Sequence, residues 1–159
     1  MRTYRYVGPG EIRRRVAGDP AGSPVRSPSD LPLDEPLTYV VTVDEILRIA
    51  NRRSEHVACA GGGDVLAAGE LIASRVAGIV RIVDVSNQST GYCPEPACWP
   101  AVARSLDSAG IAHPGHFTIA VTFRRCNACG ERNLVKDDWF ECAICGAELP
   151  ASWNFDQGP

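Results

Sequence analysis

Cysteine is the residue type in this sequence whose spacing most directly predicts chemistry. Four of the seven cysteines form two C-x-x-C pairs, Cys126 with Cys129 and Cys142 with Cys145, and twelve residues separate the pairs. This doubled spacing is typical of a zinc ribbon, in which four thiolates surround one metal ion tetrahedrally. We therefore predict a metal site that these four cysteines form.

The residues around the two pairs support this interpretation. Gly130 and Gly146 each follow a pair directly, and a metal knuckle favours glycine because the chain reverses there with positive φ. Cysteine fills all four coordination positions and leaves none open for water or substrate, so the predicted role is structural, with zinc as the metal. Iron in the same four-sulfur geometry, as in rubredoxins, is the alternative. Residues 132–135 and 139–141 are predicted to pair as the β-hairpin of the ribbon.

The other three cysteines lie outside this pattern. Cys93 and Cys98 precede His113 and His116, so the donors for a second site with two cysteines and two histidines are present. Their C-x4-C spacing, stiffened by two prolines, differs from that of a knuckle, and free thiols are the preferred interpretation. Cys59 lies between alanines and is predicted to be a core residue.

Composition indicates the class of protein that must position these residues. The chain has 159 residues, is 45% hydrophobic and 22% charged, and has a mean hydropathy of -0.09, which suits one domain with a small appendage. Sixteen basic and nineteen acidic residues give a net charge of -3, which provides no overall footprint for nucleic acid. No apolar stretch approaches the roughly 18 residues of a membrane span and no secretory signal is visible, so we expect a cytoplasmic protein without a membrane partner.

Three segments differ in composition. Residues 1–36 are predicted to be an N-terminal segment whose second half, with five of the twelve prolines, is an exposed linker or long loop. Residues 37–123 are predicted to form an α+β core with a mostly antiparallel sheet and one main helix. Residues 124–159 are predicted to hold the zinc ribbon and a tail.

The apolar pattern predicts particular elements in the core. Residues 38–43 predict a strand, and residues 46–49 continue it as either a second strand or a helix. Residues 65–74 and 78–85 predict an antiparallel hairpin, in which Gly69 marks a bulge or a close approach. The remaining predictions are one or two helical turns over residues 11–16, a strand over residues 56–60, a helix over residues 100–109 and a strand over residues 117–123.

His56 is the candidate for a catalytic group. It lies next to Glu55 and before a run of three glycines, where it could act as a general base beside exposed backbone N–H groups. Glu55 or Glu70 would assist it. The polar loop from Asn87 to Tyr92 would line a pocket for a nucleotide- or sugar-like ligand. The alternative is structural: a half-buried, hydrogen-bonded histidine, and loop side chains that bond to their own backbone.

Two short motifs lie in the core around these candidates. The first contains His56, Gly62-Gly63 and Ala67-Ala68-Gly69, and the second contains Ser89, Tyr92 and Pro94. Residues 38–110 thereby resemble a module of the plant IQ-motif calmodulin-binding family, which is similar to segments of some bacterial toxin-like and effector proteins. The resemblance implies a shared fold and no defined reaction. Thr90-Gly91 stands where the family has Gly-His, and there is no IQ segment, so calmodulin binding does not transfer.

The leading function prediction is a non-enzymatic binding or adaptor module that acts through protein contacts, because the one complete site is a closed metal site. The first alternative is an enzyme with a small pocket at His56, which the sequence neither establishes nor excludes. The second alternative is nucleic-acid binding through the ribbon. Neighbouring acidic residues offset its basic face, which consists of Arg124, Arg125, Arg132 and Lys136.

Overall fold

The computed structural model describes residues 1–156 and contains two compact units. Unit 1 is Met1–Ala120, and unit 2 begins at Val121. Unit 1 contains a five-stranded antiparallel sheet with few helices, and unit 2 contains a two-stranded sheet. The predicted α+β class with a mostly antiparallel sheet is therefore confirmed.

The sheet of unit 1 has the strand order β1-β3-β2-β4-β5, and all neighbouring strands are antiparallel. The central strand β2 is buried at all six of its residues, as expected for a continuous run of apolar and β-branched side chains. The five strands are β1 (Ser23–Val25), β2 (Leu37–Thr42), β3 (Leu47–Asn51), β4 (Val65–Val76) and β5 (Ile79–Val85).

The chain turns back after β2 as a second strand, which decides between the strand and the helix that the sequence left open. The Thr42 N–H donates to the Ile46 carbonyl at 3.0 Å, and the Thr42 Oγ1 donates to the same oxygen at 3.1 Å. Glu45 adopts a φ of 64° inside this tight turn. Pairing with β2 satisfies the backbone groups of β3, a gain that periodicity alone does not report.

β4 and β5 form the predicted hairpin, with a shorter turn than the sequence indicated. Val76 pairs with Ile79, so the turn consists of Ala77 and Gly78, whose φ angles are 52° and 80°. Two consecutive positive φ angles are what a two-residue type I′ turn requires.

Gly69 marks a close approach of two backbone segments. It pairs with Tyr39 of β2, and a Cβ built on it would collide with the carbonyl of Ser86 and lie 3.1 Å from the Asn87 Cα. The Tyr39 hydroxyl donates to the same Ser86 carbonyl at 2.7 Å. The close approach predicted at Gly69 is therefore confirmed, whereas the extra residue in β4 is Leu66, which lies earlier in the strand.

The three α-helices of the described residues all lie in unit 1. The main helix α3 (Trp99–Ser108) begins one residue before Pro100 and packs against β2, β3 and β4. The short helix α1 (Gly10–Val16) matches the predicted helical turns. Residues 56–60, however, form the single-turn helix α2 (His56–Cys59) instead of a strand. The reason is local, because the N–H groups of the first two glycines that follow bond back to carbonyls of this helix.

The length and apolarity of the helices indicate whether any of them could cross a membrane. Among residues 1–156, none of the helices has the length and apolarity that a transmembrane segment needs.

Residues 17–36 differ from the predicted exposed linker. They contribute the edge strand β1, which pairs with β3, and they bury Val25 and Leu31. The Ala21 N–H also donates to the Ala58 carbonyl at 3.0 Å. Proline suits such a segment because an edge strand can leave a ladder position without an N–H donor.

Unit 2 contains β6 (Thr122–Arg125) and β7 (Arg132–Val135), which pair antiparallel. Residues 132–135 therefore pair with the segment before the first cysteine pair, and not with residues 139–141 as predicted. The latter segment pairs with the chain after the second cysteine pair, since the Leu149 N–H donates to the Phe140 carbonyl at 2.8 Å. Each cysteine pair reverses the chain and so brings its own two arms side by side.

The predicted strand over residues 117–123 is present only at its end, where β6 begins. Phe117 is buried, but Ile119 is 53% exposed. The Thr118 and Ile119 N–H groups donate to the Val85 carbonyl at 2.9 and 3.2 Å, so this segment crosses the end of β5. The alternation of apolar and polar residues there does not reflect a strand with one buried face.

We expect Gly69→Ala to destabilise unit 1 by about 3 kcal/mol, because the new methyl group would meet backbone that cannot move independently. Gly63→Ala is the matched control, since its Cβ would meet only the Ala60 carbonyl at an ordinary 3.6 Å. Urea unfolding followed by circular dichroism measures both. Equal stability of the two variants would contradict the close approach.

Candidate metal centre

The four predicted cysteines converge in unit 2, where their sulfur atoms all lie within 4.8 Å of one another. The Cys126 Sγ is 3.5 Å from the Cys145 Sγ, and the Cys129 Sγ is 3.6 Å from the Cys142 Sγ. With Zn–S bonds of about 2.3 Å, the edge of a sulfur tetrahedron is roughly 3.8 Å, so these distances fit a metal site. A disulfide would need sulfur atoms about 2.0 Å apart, so none of these contacts is a disulfide.

The two cysteine pairs form equivalent turns. In the first, the Cys126 N–H donates to the Glu131 carbonyl at 2.8 Å, and the Gly130 N–H donates to the Cys126 carbonyl at 2.8 Å. The second repeats both bonds, from Cys142 to Ala147 at 2.8 Å and from Gly146 to Cys142 at 2.9 Å. The two glycines have φ angles of 80° and 76°, which confirms the reason for their presence after each pair.

Backbone N–H groups point at the first sulfur of each pair. The Cys129 N–H donates to the Cys126 Sγ at 3.5 Å, and the Ile144 N–H donates to the Cys142 Sγ at 3.4 Å. Such bonds stabilise a thiolate. The backbone N–H of Cys129 is the main cause that lowers the pKa of Cys126, and that of Cys145 is the main cause that lowers the pKa of Cys142 to about 6. Both sulfurs are thus prepared for the thiolate form that binds metal.

The second sulfur of each pair behaves in the opposite way. A backbone hydrogen bond from Glu131 lowers the pKa of Cys129, but partial desolvation of its sulfur and the neighbouring sulfurs outweigh it and raise this pKa to about 12. The pKa of Cys145 is also raised, in part by the adjacent Cys126 sulfur. Four sulfurs this close together cannot all be thiolates unless a cation is present, which is the charge balance of a metal site.

Asn133 is a site residue that the sequence analysis did not identify. Its side chain is buried in β7, where its Oδ1 accepts the Ala143 N–H at 2.9 Å and its Nδ2 donates to the Glu131 carbonyl at 3.1 Å. The same Nδ2 also donates to the Cys142 Sγ at 3.5 Å. The Asn133 amide therefore bonds to the first turn at Glu131, to the second turn at Ala143 and to the sulfur of Cys142. The alternation of β7, which places Asn133 on the buried side with Val135, is the signal that could have found it.

The apolar support of the cluster is small. Cys126 and Cys142 are buried, whereas Cys129 and Cys145 are exposed. The apolar partners of the buried pair are Val135, Leu149, Phe140 and Ala147. These few side chains form a small apolar core, to which metal coordination by the four cysteines would add stability.

The donors of the alternative second metal site, Cys93, Cys98, His113 and His116, do not come together. His113 lies 2.9 Å from a carboxylate oxygen of Asp107, and the His116 Nδ1 lies 3.0 Å from the Phe117 carbonyl oxygen. Cys93 and Cys98 are buried in unit 1. Among residues 1–156, three or more metal donors come together only at the four cysteines of unit 2.

The thiols of unit 1 are set apart from metal chemistry by burial. Cys59 is fully buried, as predicted, and burial raises its pKa to about 12. Burial raises the pKa of Cys98 to about 12 as well. Both remain protonated at neutral pH, which makes them weak nucleophiles and weak metal ligands.

His56 makes a hydrogen bond that belongs to the fold. Its Nε2 lies 2.8 Å from the Gly69 carbonyl oxygen, so this nitrogen carries the proton and donates it. The ring is half-buried, and burial lowers its pKa, although the bond to Gly69 and the charges of Glu70 and Glu55 oppose this shift. Glu55 itself is exposed.

Three side chains of the polar loop from Asn87 to Tyr92 are buried. Asn87, Ser89 and Tyr92 are at most 1% exposed. The Tyr92 hydroxyl donates to the Gly63 carbonyl at 2.6 Å, and burial raises its pKa. The Asn87 Nδ2 donates to the Pro94 carbonyl at 3.0 Å. The Asn87 and Tyr92 side chains therefore donate to backbone carbonyls inside unit 1.

Three cavities of unit 1, of about 470, 260 and 130 Å³, lie elsewhere. None of the three is lined by His56, Glu55 or Tyr92. The largest of them, lined by Glu45, Arg104, Asp107 and Ser108, has only polar and charged lining residues, whereas cofactor and substrate sites are mostly apolar.

Two arginines of the predicted basic face are used within unit 2. Arg124 donates to the Pro150 carbonyl at 3.1 Å, and its guanidinium lies 5.8 Å from the centre of the Phe140 ring. Arg125 donates to the Gly130 carbonyl at 3.2 Å and lies 5.2 Å from the centre of the Phe155 ring. Their side chains contribute to the packing around the first turn.

No protein-family model, curated protein or solved structure matches this chain. The functional conclusion therefore depends on the geometry of the chain itself.

We expect His56 to make stability depend on pH. Its pKa is lowered in the folded state, so the unfolded chain, with an ordinary value of 6.5, takes up the proton first as pH falls. The stabilisation is complete above that value and decreases below it. His56→Gln retains an N–H donor for Gly69 but cannot titrate, so between about pH 7.5 and 5.5 it should lose less stability than the parent protein.

Urea unfolding at a series of pH values measures this difference. Above about pH 8 the histidine is neutral in both states, so there the two proteins should differ by a constant amount. Protons compete with a metal ion for the four cysteines to the same extent in both proteins, so this effect cancels in the comparison. Parallel stability curves over the whole range would contradict the assignment.

Proposed function

We propose that this protein is a zinc-stabilised, non-enzymatic binding module that acts through protein contacts. The observation that carries the proposal is the closed set of four sulfur donors within 4.8 Å. Four thiolate ligands leave no open coordination position, so the metal organises unit 2 as a zinc ribbon and does not activate water or substrate.

A structural role for zinc also agrees with the energetics of unit 2. Structural zinc contributes on the order of 10 kcal/mol to the folding of small peptides that bind it. The buried apolar side chains around Cys126 and Cys142 are too few to replace that contribution. Zinc is favoured over iron because it occupies four-sulfur sites without a redox requirement.

The exposed side chains of unit 2 favour a protein partner. Trp139 is 66% exposed and Ile144 is 71% exposed, although both are large and apolar. Ile144 lies inside the second C-x-x-C pair and Trp139 precedes that pair by three residues. Exposed tryptophan is the residue type that most often supplies binding energy at protein interfaces.

Nucleic acid is a weaker candidate for the partner. Arg124 and Arg125 already donate to carbonyls of unit 2, and acidic Asp137, Asp138 and Glu141 lie close to Trp139 in sequence. Phosphate binding depends on basic side chains free to neutralise the backbone.

An enzyme is a weaker candidate as well. The His56 ring and the Tyr92 hydroxyl each hold a backbone carbonyl of unit 1. A general base or acid needs a polar atom within reach of a substrate, and these atoms are engaged in the fold. The resemblance of residues 38–110 to the IQ-motif family stays a prediction and supplies no reaction.

Native mass spectrometry of protein purified without chelator should find one zinc per chain. Removal of the metal should unfold unit 2, seen as loss of its dispersed amide signals in NMR spectra, while those of unit 1 persist. A coloured protein with iron in place of zinc would contradict the choice of metal. Protein with neither metal would contradict the site.

Two variants refine this test. Asn133→Ala should lower zinc affinity about 10–100-fold, because it removes the amide that orients both turns. Asn127→Ala is the matched control, since Asn127 is exposed in the first pair and bonds to no sulfur among the described contacts. Equal affinities would show that Asn133 has no positioning role.

Photo-crosslinking tests the protein contact. Trp139 is replaced by a photoreactive phenylalanine analogue in the otherwise unchanged full chain, which is expressed in cells. Irradiation of these cells should give a discrete protein adduct. The adduct should disappear when Cys142→Ser removes a metal ligand, because unit 2 then loses its structure. The same probe at Val76, an exposed apolar residue of unit 1, is the control. Identical adducts at both positions, or adducts that a nuclease digests, would overturn the proposal.

A further inference from the structure

A groove of about 130 Å³ lies on the face of the unit 1 sheet formed by β4 and β5. Two carboxylates, of Glu70 and Asp84, line it together with apolar side chains. The polar part is completed by Gln88, and the apolar part consists mainly of Pro36, Ile72 and Ile119.

The strand register places the two carboxylates on one side of the sheet. Asp84 of β5 pairs with Ile72 of β4, so their side chains project from the same face. Glu70 precedes Ile72 by two residues and therefore shares that face. Diagonal neighbours of this kind have Cα atoms about 7–8 Å apart, a separation that one planar cation can bridge with hydrogen bonds to both carboxylates.

The charge of these carboxylates is uncompensated. Among residues 1–156, neither the Glu70 nor the Asp84 side chain forms a hydrogen bond or an ion pair, and both are exposed. His56 interacts electrostatically with Glu70, but burial lowers its pKa, so it is neutral at physiological pH. Like charges on adjacent strands repel, so a cation between them would be stabilised.

The rest of the groove is apolar. Ile119 is 53% exposed, and Ile72 and Pro36 are half-buried. A cationic side chain with a hydrocarbon stem matches this combination, because its methylene groups can cover the apolar wall while its head contacts the carboxylates. A bare metal ion matches it less well, since calcium takes six to eight oxygen ligands.

We propose that this groove binds an arginine side chain of a protein partner, with the guanidinium between Glu70 and Asp84 and the stem against Ile72 and Ile119. Arginine is favoured over lysine because its planar head bonds two carboxylates at once and is less strongly hydrated. The inference deepens the proposed protein contact and rests on it for the class of partner. It concerns unit 1 alone, whereas the zinc and the Trp139 probe concern unit 2.

The test is an NMR titration of the zinc-loaded full chain with the peptide acetyl-Leu-Arg-Leu-amide. Saturable shifts should appear in the amide signals of residues around Glu70, Ile72, Asp84 and Gln88. A peptide with uncharged norleucine in place of arginine has a similar stem and no charge, so it should bind at least tenfold more weakly. Added salt should weaken the arginine peptide and leave the norleucine peptide unchanged.

Glu70→Gln and Asp84→Asn should each weaken binding about tenfold, as expected for the loss of one charged hydrogen-bond partner. Glu11→Gln, which removes an exposed carboxylate on α1 outside the groove, should bind like the parent protein. Both groove variants lose only charge at exposed positions, so they should fold, and the amide spectrum checks this directly.

Four results would overturn the inference. They are the absence of saturable shifts at about 10 mM peptide, equal binding of the norleucine peptide, the same shifts with calcium or magnesium chloride alone, and shifts that follow protein concentration without peptide, which would indicate a second copy as the occupant. In each case the zinc content and the crosslinks at position 139 would be unaffected, so this failure and a failure of the proposed function are distinguishable.

Discussion

Four sulfur atoms can remain within 4.8 Å of one another as thiolates only if a cation compensates their charge, and this constraint governs the whole of unit 2. The equivalent turns, the glycines with positive φ and the Asn133 amide all surround the sulfurs, whereas few apolar side chains support them. Coordination of a metal ion by the four sulfurs would therefore contribute more to the order of this unit than burial does. The same constraint limits its chemistry, because a metal ion held by four thiolates has no position for a reactant.

Unit 1 is organised by a different requirement, the pairing of buried polar groups with backbone carbonyls. The Tyr39 hydroxyl donates a hydrogen bond to the Ser86 carbonyl, and the Tyr92 hydroxyl donates one to the Gly63 carbonyl. The His56 ring bonds in the same way to the Gly69 carbonyl. Each bond joins segments that are distant in sequence. Polar residues that resemble a catalytic group in the sequence thus link strands and loops of unit 1.

The exposed side chains of the two units are the reason that binding is the proposed function. Unit 2 exposes Trp139 and Ile144, and unit 1 exposes the carboxylates of Glu70 and Asp84 above an apolar wall. An apolar anchor and an acidic groove are complementary to protein segments that carry aliphatic and basic side chains. The two surfaces belong to different units.

The sequence by itself determined the four-cysteine cluster and the elements that depend on neighbouring residues. The four cysteines lie within twenty residues, so local turns suffice to bring them together, and the hairpin of β4 and β5 and the helix α3 follow from local patterns in the same way. Only the tertiary structure decided the pairing of β6 with β7, the inclusion of β1 in the sheet, the bond from His56 to Gly69 and the groove beside Asp84. These features depend on strand register and on contacts between distant segments, which hydrophobic periodicity does not encode because many registers bury the same apolar residues.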